Sequence, residues 1–370
     1  MIDLYSPTPR ADAHLRSPDI VSSDSVSSDS EATPAAETSK ADARDWVKIL
    51  SNYREPDTAR SAFELAVTIG PFMVLWAVAW WSLGISYWLT LAVSIVNAGF
   101  LLRLFTIQHD CGHGAFFKNR TFGDWVGRVI GVLTITPYDV WRRTHAIHHG
   151  SSGNLARRGI GDVHTLTVEE YQSRSALSRL LYRLYRNPIV LFGLGPGYLF
   201  FVEYRLPLGL TKIAKYWFSA MATNAAILVA LTVIFFTGGL MPILLIFLPS
   251  TFLAAMAGVW LFYVQHQFET THWAQEEEWQ LHEAALKGSS HYVLPTPLQW
   301  VTANIGIHHV HHLYSRIPFY RLPEVLRDHS ELADNNRMNV RESLASAGLH
   351  LWDEKTKQLM SFSQLRARGA

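Results

Sequence analysis

Residues 64–83 read ELAVTIGPFMVLWAVAWWSL, with one acid at the leading edge and an almost unbroken apolar run behind it. At about 1.5 Å of rise per residue, twenty helical residues cross the roughly 30 Å hydrocarbon core of a bilayer. A second apolar run, 86–106, follows after only Gly84-Ile85, and Arg103 interrupts it near its end. So short a connector demands an antiparallel hairpin of two helices. The pattern recurs downstream, where 217–236 and 240–264 are joined by Thr237-Gly238-Gly239. Gly70, Pro71, Pro242 and Pro249 lie inside or at the edge of these runs, and membrane helices tolerate them. The expected fold is all-α and integral to a membrane: four transmembrane helices as two hairpins, with a helical cap on one side.

The rest of the composition agrees. Only 17% of the 370 residues are charged, against roughly 25% in soluble domains. A net charge of +1 gives no bulk electrostatic case for nucleic acid. The single cysteine, Cys111, excludes an internal disulfide and a cysteine-ligated cluster. Residues 1–42 are rich in Ser, Asp, Ala, Glu and Pro and are expected to be a disordered tail, with no secretory signal evident. Residues 43–330 then form the membrane domain, and 331–370 a cytoplasmic helical tail. The apolar stretches 126–135 and 189–202 are too short to span and read as interfacial or re-entrant.

Basic residues set the expected orientation. Neither tight inter-helix turn holds one, whereas 103–215 holds fifteen Lys and Arg. That places the long segment and both termini on the cytoplasmic side, in the inner or plasma membrane if the source is bacterial. Every histidine cluster then lies on one face.

Those clusters carry the chemistry. Of 17 histidines, nine fall in three runs: His109-Asp110-Cys111-Gly112-His113, His145-Ala146-Ile147-His148-His149 and His308-His309-Val310-His311-His312. Rings at i and i+4 share one helix face, about 6 Å apart along the axis, and can bind one metal. The HxxHH spacing adds an adjacent ring able to reach a second metal. His266, closing the fourth apolar run, is a further candidate, and His272 competes with it. A structural zinc needs four ligands, so eight or nine imidazoles fit two ions. Imidazole suits several metals, but a pair of irons with open positions can reduce O₂ and attack an unactivated C–H bond, which side chains alone cannot do.

The chain resembles the membrane fatty acid desaturases from about residue 60 to 330, and within them the acyl-lipid delta-12/omega-6 type. The resemblance rests on HDCGHGAFF at 109–117, WRRTHAIHHGSSGN at 141–154 and NIGIHHVHHLYSRIPFY at 304–320. The Gln-initial third run and the HPGG signature of cytochrome b5-fused members are absent. The resemblance implies that His109, His113, His145, His148, His149, His308, His311 and His312 are iron ligands. It also implies that His266 matches the extra ligand which related enzymes place at the end of their fourth helix. His309 falls between matched positions and is expected behind the ligands or at the surface. An iron-bound imidazole usually donates its other N–H to a carboxylate or carbonyl, which makes Asp110, Asp162, Glu269 and Asn304 candidates for supporting roles. His164, His282, His291, His329 and His350 lack the spacing and are read as non-ligands.

The implied reaction is O₂-dependent desaturation of a long acyl chain in a tunnel between the helices. Trp80, Trp81, Phe100, Phe105, Trp260 and Phe262 are available to line it. With no flavin, haem or iron–sulfur signature, electrons must come from a separate donor, a ferredoxin or a cytochrome b5 type. Arg142, Arg143, Arg157 and Arg158 offer a basic loop for an acidic donor or for lipid headgroups. Two rivals stand beside this reading. The same centre could return oxygen to carbon, as in a hydroxylase, acetylenase, epoxygenase or carotenoid ketolase. From another class, the chain could be a membrane metal-binding or transport protein.

Overall fold

The computed structural model describes residues 43–159 and 161–369; the tail expected over 1–42 lies outside them. The fold is mostly helical, with four helices long and apolar enough to cross a bilayer: Thr58–Ser82, Tyr87–His113, Ala214–Gly238 and Ile243–His266. The first opens on Asp57, whose carboxylate accepts the N–H groups of Ala59 and Arg60 at 2.8 and 3.0 Å. Such a cap satisfies donors that the first turn leaves unpaired. The fourth begins as a π-helical turn, Ile243–Phe247, and continues as Leu248–His266.

The second spanning helix is the most buried of the four and packs along both the first and the fourth. The third turns Phe218, Leu228, Val229, Val233 and Phe236 outward, as a helix facing lipid should. Small polar residues close the interfaces. Ser82 and Thr90 hydroxyls meet at 2.9 Å, Ser94 Oγ donates to the Leu245 carbonyl at 2.8 Å, and Ser250 Oγ donates to the Ser94 carbonyl at 3.0 Å. One ion pair is sealed between the first two helices, Arg103 Nη2 to Glu64 Oε2 at 2.5 Å. Arg103 also donates to Thr68 Oγ1 and to the Trp300 carbonyl, and lies over the Trp300 ring. It thereby ties two spanning helices to the segment leading into the third histidine run.

The remaining elements carry the site. Helices Arg120–Leu133 and Tyr138–Ser151 follow the second spanning helix. The crossing of these two is tight, because a Cβ on Gly127 would sit 2.3 Å from the Tyr138 ring. The two short apolar stretches form helix Arg120–Leu133 and a π-turn running into Gly195–Phe201, with Phe122, Trp125, Val129, Ile189, Leu194 and Tyr198 exposed.

Residues 331–369 combine short helices, among them Val340–Ser346 and Phe362–Ala367, with three short strands. Arg337–Asn339 pairs in parallel with His291–Val293. Leu351–Asp353 pairs in parallel with Leu166–Thr167 and antiparallel with Gln358–Met360. Trp352 and Leu359 are buried against Leu155 and Trp273. Strands of two or three residues show no alternation for a sequence to reveal.

Candidate metal centre

The first histidine pair occupies the last turn of the second spanning helix, which Gly114 ends in the left-handed conformation (φ 67°). A residue with a Cβ is disfavoured there. The second run lies on Tyr138–Ser151, and the third on the short helix His308–Leu313. His266 is the final residue of the fourth spanning helix.

These elements bring nine imidazoles into two groups. His109, His113, His145, His149 and His311 form one; His148, His266, His308 and His312 form the other. Within each group the candidate ligand atoms all lie within 4.8 Å of one another. Helical geometry explains the division. His145 and His149 are i and i+4 on one face, and His148, next to His149 and so about 100° round the helix from it, is directed to the second group. On the third run His308 and His312 share a face while His311 turns to the first group. Two short helices therefore each serve both groups.

The nitrogens meet in a way that suits cations. Nε2 atoms of His145 and His149, of His149 and His311, and of His148 and His266 are 3.1 Å apart, and those of His266 and His308 are 3.0 Å apart. Nitrogens about 2.0–2.1 Å from a shared metal and near right angles to one another subtend an edge of about 3 Å. Nε2 of His109, His113 and His312 is buried with no hydrogen-bond partner, a costly condition that a bound cation removes.

Three of the opposite ring nitrogens are held. His109 Nδ1 lies 3.0 Å from Asp110 Oδ1, whose Oδ2 accepts the Phe319 N–H at 2.7 Å. His148 Nδ1 lies 2.5 Å from Asp162 Oδ1. His266 Nδ1 donates to the Gly288 carbonyl at 3.1 Å. A proton fixed on Nδ1 leaves the Nε2 lone pair facing inward. Outside the spanning helices, burial pushes His145, His149, His308, His311 and His312 well below the ordinary 6.5, and neighbouring rings push them further. Neutral rings are what a metal requires.

The expected supporting residues divide. Asp110 and Asp162 each reach a clustered ring. Glu269 is exposed and, among the described residues, its carboxylate has no hydrogen bond to any of the nine. Asn304 has φ 54° and donates to the carbonyl of Phe319 at 3.5 Å, the residue whose N–H holds Asp110. His309 is fully buried rather than surface-facing; its Nε2 donates to the Leu332 carbonyl at 2.8 Å. His272 and the five histidines outside the three runs that lack their spacing belong to neither group.

Of the aromatic residues offered as tunnel lining, Phe262 touches the clustered rings and Phe105 approaches them through Trp141. Phe262 lies 5.0 Å from His148 and 5.4 Å from His266. Trp141, not anticipated, stacks on His145 at 4.6 Å and meets Phe105 edge-on. Trp81 is exposed, Phe100 packs on Trp300, Trp260 packs on Phe192, and Trp80 lies against Gly238. The basic loop is largely spent internally: Arg142 pairs with Asp124, Arg157 with Glu276 and Arg158 with Glu170. Among these four, only Arg143 has no acidic partner among the described residues.

The chain is similar in sequence to known proteins. The profile of the family described as Fatty acid desaturase matches residues 79–343. A protein of Bacillus subtilis (strain 168) named "Fatty acid desaturase" is 41% identical over 319 residues, covering 86% of this chain and 90% of that protein. The "sn-1 oleoyl-lipid 12-desaturase" of Synechocystis sp. (strain ATCC 27184 / PCC 6803 / Kazusa) is 29% identical over 265 residues, covering 68% and 72%. The "sn-1 acyl-lipid omega-3 desaturase (ferredoxin)" of the same organism is 29% identical over 231 residues, covering 59% and 61%. A match that takes in all three histidine runs and the helices carrying them shows that this chain belongs to the fatty acid desaturase family.

Proposed function

We propose that the nine clustered histidines hold two iron ions and that the enzyme inserts a cis double bond into an acyl chain carried on a membrane lipid, at the delta-12 (omega-6) position. The observation carrying the two-metal reading is the division of nine imidazoles into two facing groups that share two helices. When bound, such a pair of irons supplies the O₂-derived oxidant that an unactivated methylene requires.

The chain's own residues do the rest. Asp110, Asp162 and the Gly288 carbonyl keep His109, His148 and His266 in the tautomer that presents Nε2. Trp141, Phe105 and Phe262 put an apolar wall beside both groups, which suits a methylene chain and excludes water. Two hydrogens leave adjacent carbons. O₂ takes up four electrons, two from the substrate and two from an external donor, and with two further protons departs as two waters.

The acyl-lipid and delta-12 reading is supported by the 109–117, 141–154 and 304–320 motifs and by the Synechocystis 12-desaturase. A ferredoxin is proposed as donor, with a cytochrome b5 type as the alternative; one Synechocystis relative carries ferredoxin in its name. The basic bias of 103–215 supports placing the histidines and both termini on the cytoplasmic side. The pairing of Leu351–Asp353 with Leu166–Thr167 keeps the C-terminal segment with the histidine-bearing helices.

The test is lipid analysis of cells expressing the wild type or His148→Ala. New diunsaturated chains, two hydrogens lighter than their precursors and present only with the wild type, support the reading, and the bond position tests delta-12. Products one oxygen heavier would replace it with a hydroxylase.

A further inference from the structure

Arg186 ends helix Ala176–Tyr185 and turns its guanidinium inward, where the residue is 1% exposed. Among the described residues no carboxylate pairs with it; oxygen dipoles meet both Nη atoms instead, while Nε is buried without a partner. Nη1 donates to the His164 carbonyl and to Thr165 Oγ1, both at 3.1 Å. Nη2 donates to Gln267 Oε1 at 3.0 Å, to the Leu349 carbonyl at 2.9 Å and to the Tyr263 hydroxyl at 3.3 Å. Burying a cation in this way is costly unless its donors are met, and simple packing would be served by an apolar side chain.

The segments it joins point to the reason. His164 and Thr165 belong to the loop that carries Asp162, whose carboxylate holds His148. Tyr263 and Gln267 flank His266 at the end of the fourth spanning helix. Thr165 Oγ1 also reaches Gln267 Oε1 at 3.2 Å, so loop and helix end are fastened together beside the guanidinium. His148 and His266 face each other at 3.1 Å in the four-histidine group. Among the described residues, none of these hydrogen bonds falls on the His109–His113 turn, on helix Tyr138–Ser151 or on the third run.

We propose that Arg186 is the positioning residue of the four-histidine site, setting the Asp162 loop and the end of the fourth spanning helix in the register that makes His148 and His266 face one metal. The proposal rests on the reading of the nine histidines as ligands of two metals. Its mark is selectivity: loss of Arg186 empties one site and spares the other, whereas a general loss of packing lowers both.

The experiment counts iron in the full chain, purified in detergent and reconstituted, with helical content and thermal midpoint followed alongside. Arg186→Lys keeps the charge and loses the fork. The expected result is a folded protein with about a twofold loss of iron relative to a wild type holding two. Adding His113→Ala then removes the remaining iron, while adding His266→Ala changes nothing. Undiminished iron in Arg186→Lys, or a remainder that His266→Ala removes, overturns the proposal. Should Arg186→Lys not fold, Tyr263→Phe combined with Gln267→Leu decides: selective loss supports the assignment, and full or evenly reduced iron refutes it. A wild type holding fewer than two irons refutes the two-metal reading itself, and the proposal with it, before any variant is compared.

Discussion

Asp162 and His148, fourteen residues apart, meet at 2.5 Å between Oδ1 and Nδ1, with the His148 ring completely buried. The carboxylate fixes the ring proton away from the site and strengthens the imidazole as a donor through Nε2. Asp162→Asn keeps an oxygen that can accept this proton but removes the charge. Outer partners of this kind are typically worth about 10–100-fold in metal affinity or activity. Asp162→Asn is expected to lower desaturation within that range and to weaken iron at the four-histidine site, measured by product formation and chelator competition. Unchanged iron affinity would contradict the role.

The buried Glu64–Arg103 pair makes a different prediction. Removing one partner of a buried pair costs about 3–5 kcal/mol where the survivor is left unpaired; Arg60 Nε, 2.7 Å from Glu64 Oε1, still meets Glu64, so the loss falls toward the lower end of that range. Arg103→Met is expected to lower the thermal midpoint sharply and to loosen the Trp300 segment. Glu64→Gln combined with Arg103→Met is expected to recover much of the loss. A double variant no better than the single one would show that the pair is not the source.

Acid should act through the imidazoles. The five outside the spanning helices are held below the ordinary 6.5 by burial. In the unfolded chain they regain that value and bind protons first. Their contribution to stability is therefore complete above about pH 6.5 and falls as pH drops toward their folded values. The thermal midpoint of the metal-free protein, scanned from pH 8 to 5, is expected to be flat in the upper part and to decline below about 6.5. A flat profile throughout would contradict it.

Two glycines should respond in opposite directions. A Cβ on Gly127 meets the Tyr138 ring at 2.3 Å, whereas one on Gly150 meets nothing within 4 Å. Gly127→Ala is expected to destabilise by about 1–3 kcal/mol through overpacking and to disturb the helix bearing the second run. Gly150→Ala, on the exposed face of that helix, is expected to stabilise by up to about 1 kcal/mol. Thermal unfolding in detergent reads both.

The sequence shows clearly what repeats over many residues or depends on spacing within one helix. The four apolar runs predict the spanning helices to within three residues at six of the eight ends, but the first helix begins six residues earlier, at Thr58, and the second runs seven further, to His113; the HxxxH and HxxHH spacings mark all three runs. Contacts between runs are less legible. Nothing local shows that His311 joins His145 while His308 joins His148, because that depends on how separate helices cross. The Gly288 carbonyl behind His266 is backbone and carries no residue-type signal. Glu269 and Asn304 lie near a ligand in sequence, but the chain turns after His266 and again before His308, so nearness along the chain is not nearness to the rings. Trp141, four residues before His145, was within reach of the i, i+4 rule that places it over that ring.

The most direct test of the two-metal account is the iron content of the purified chain and of one variant from each group, His113→Ala and His308→Ala. The account predicts about two irons per chain in the wild type and about one in each variant, with no desaturated product from either. One iron in the wild type, or two retained in either variant, would contradict it.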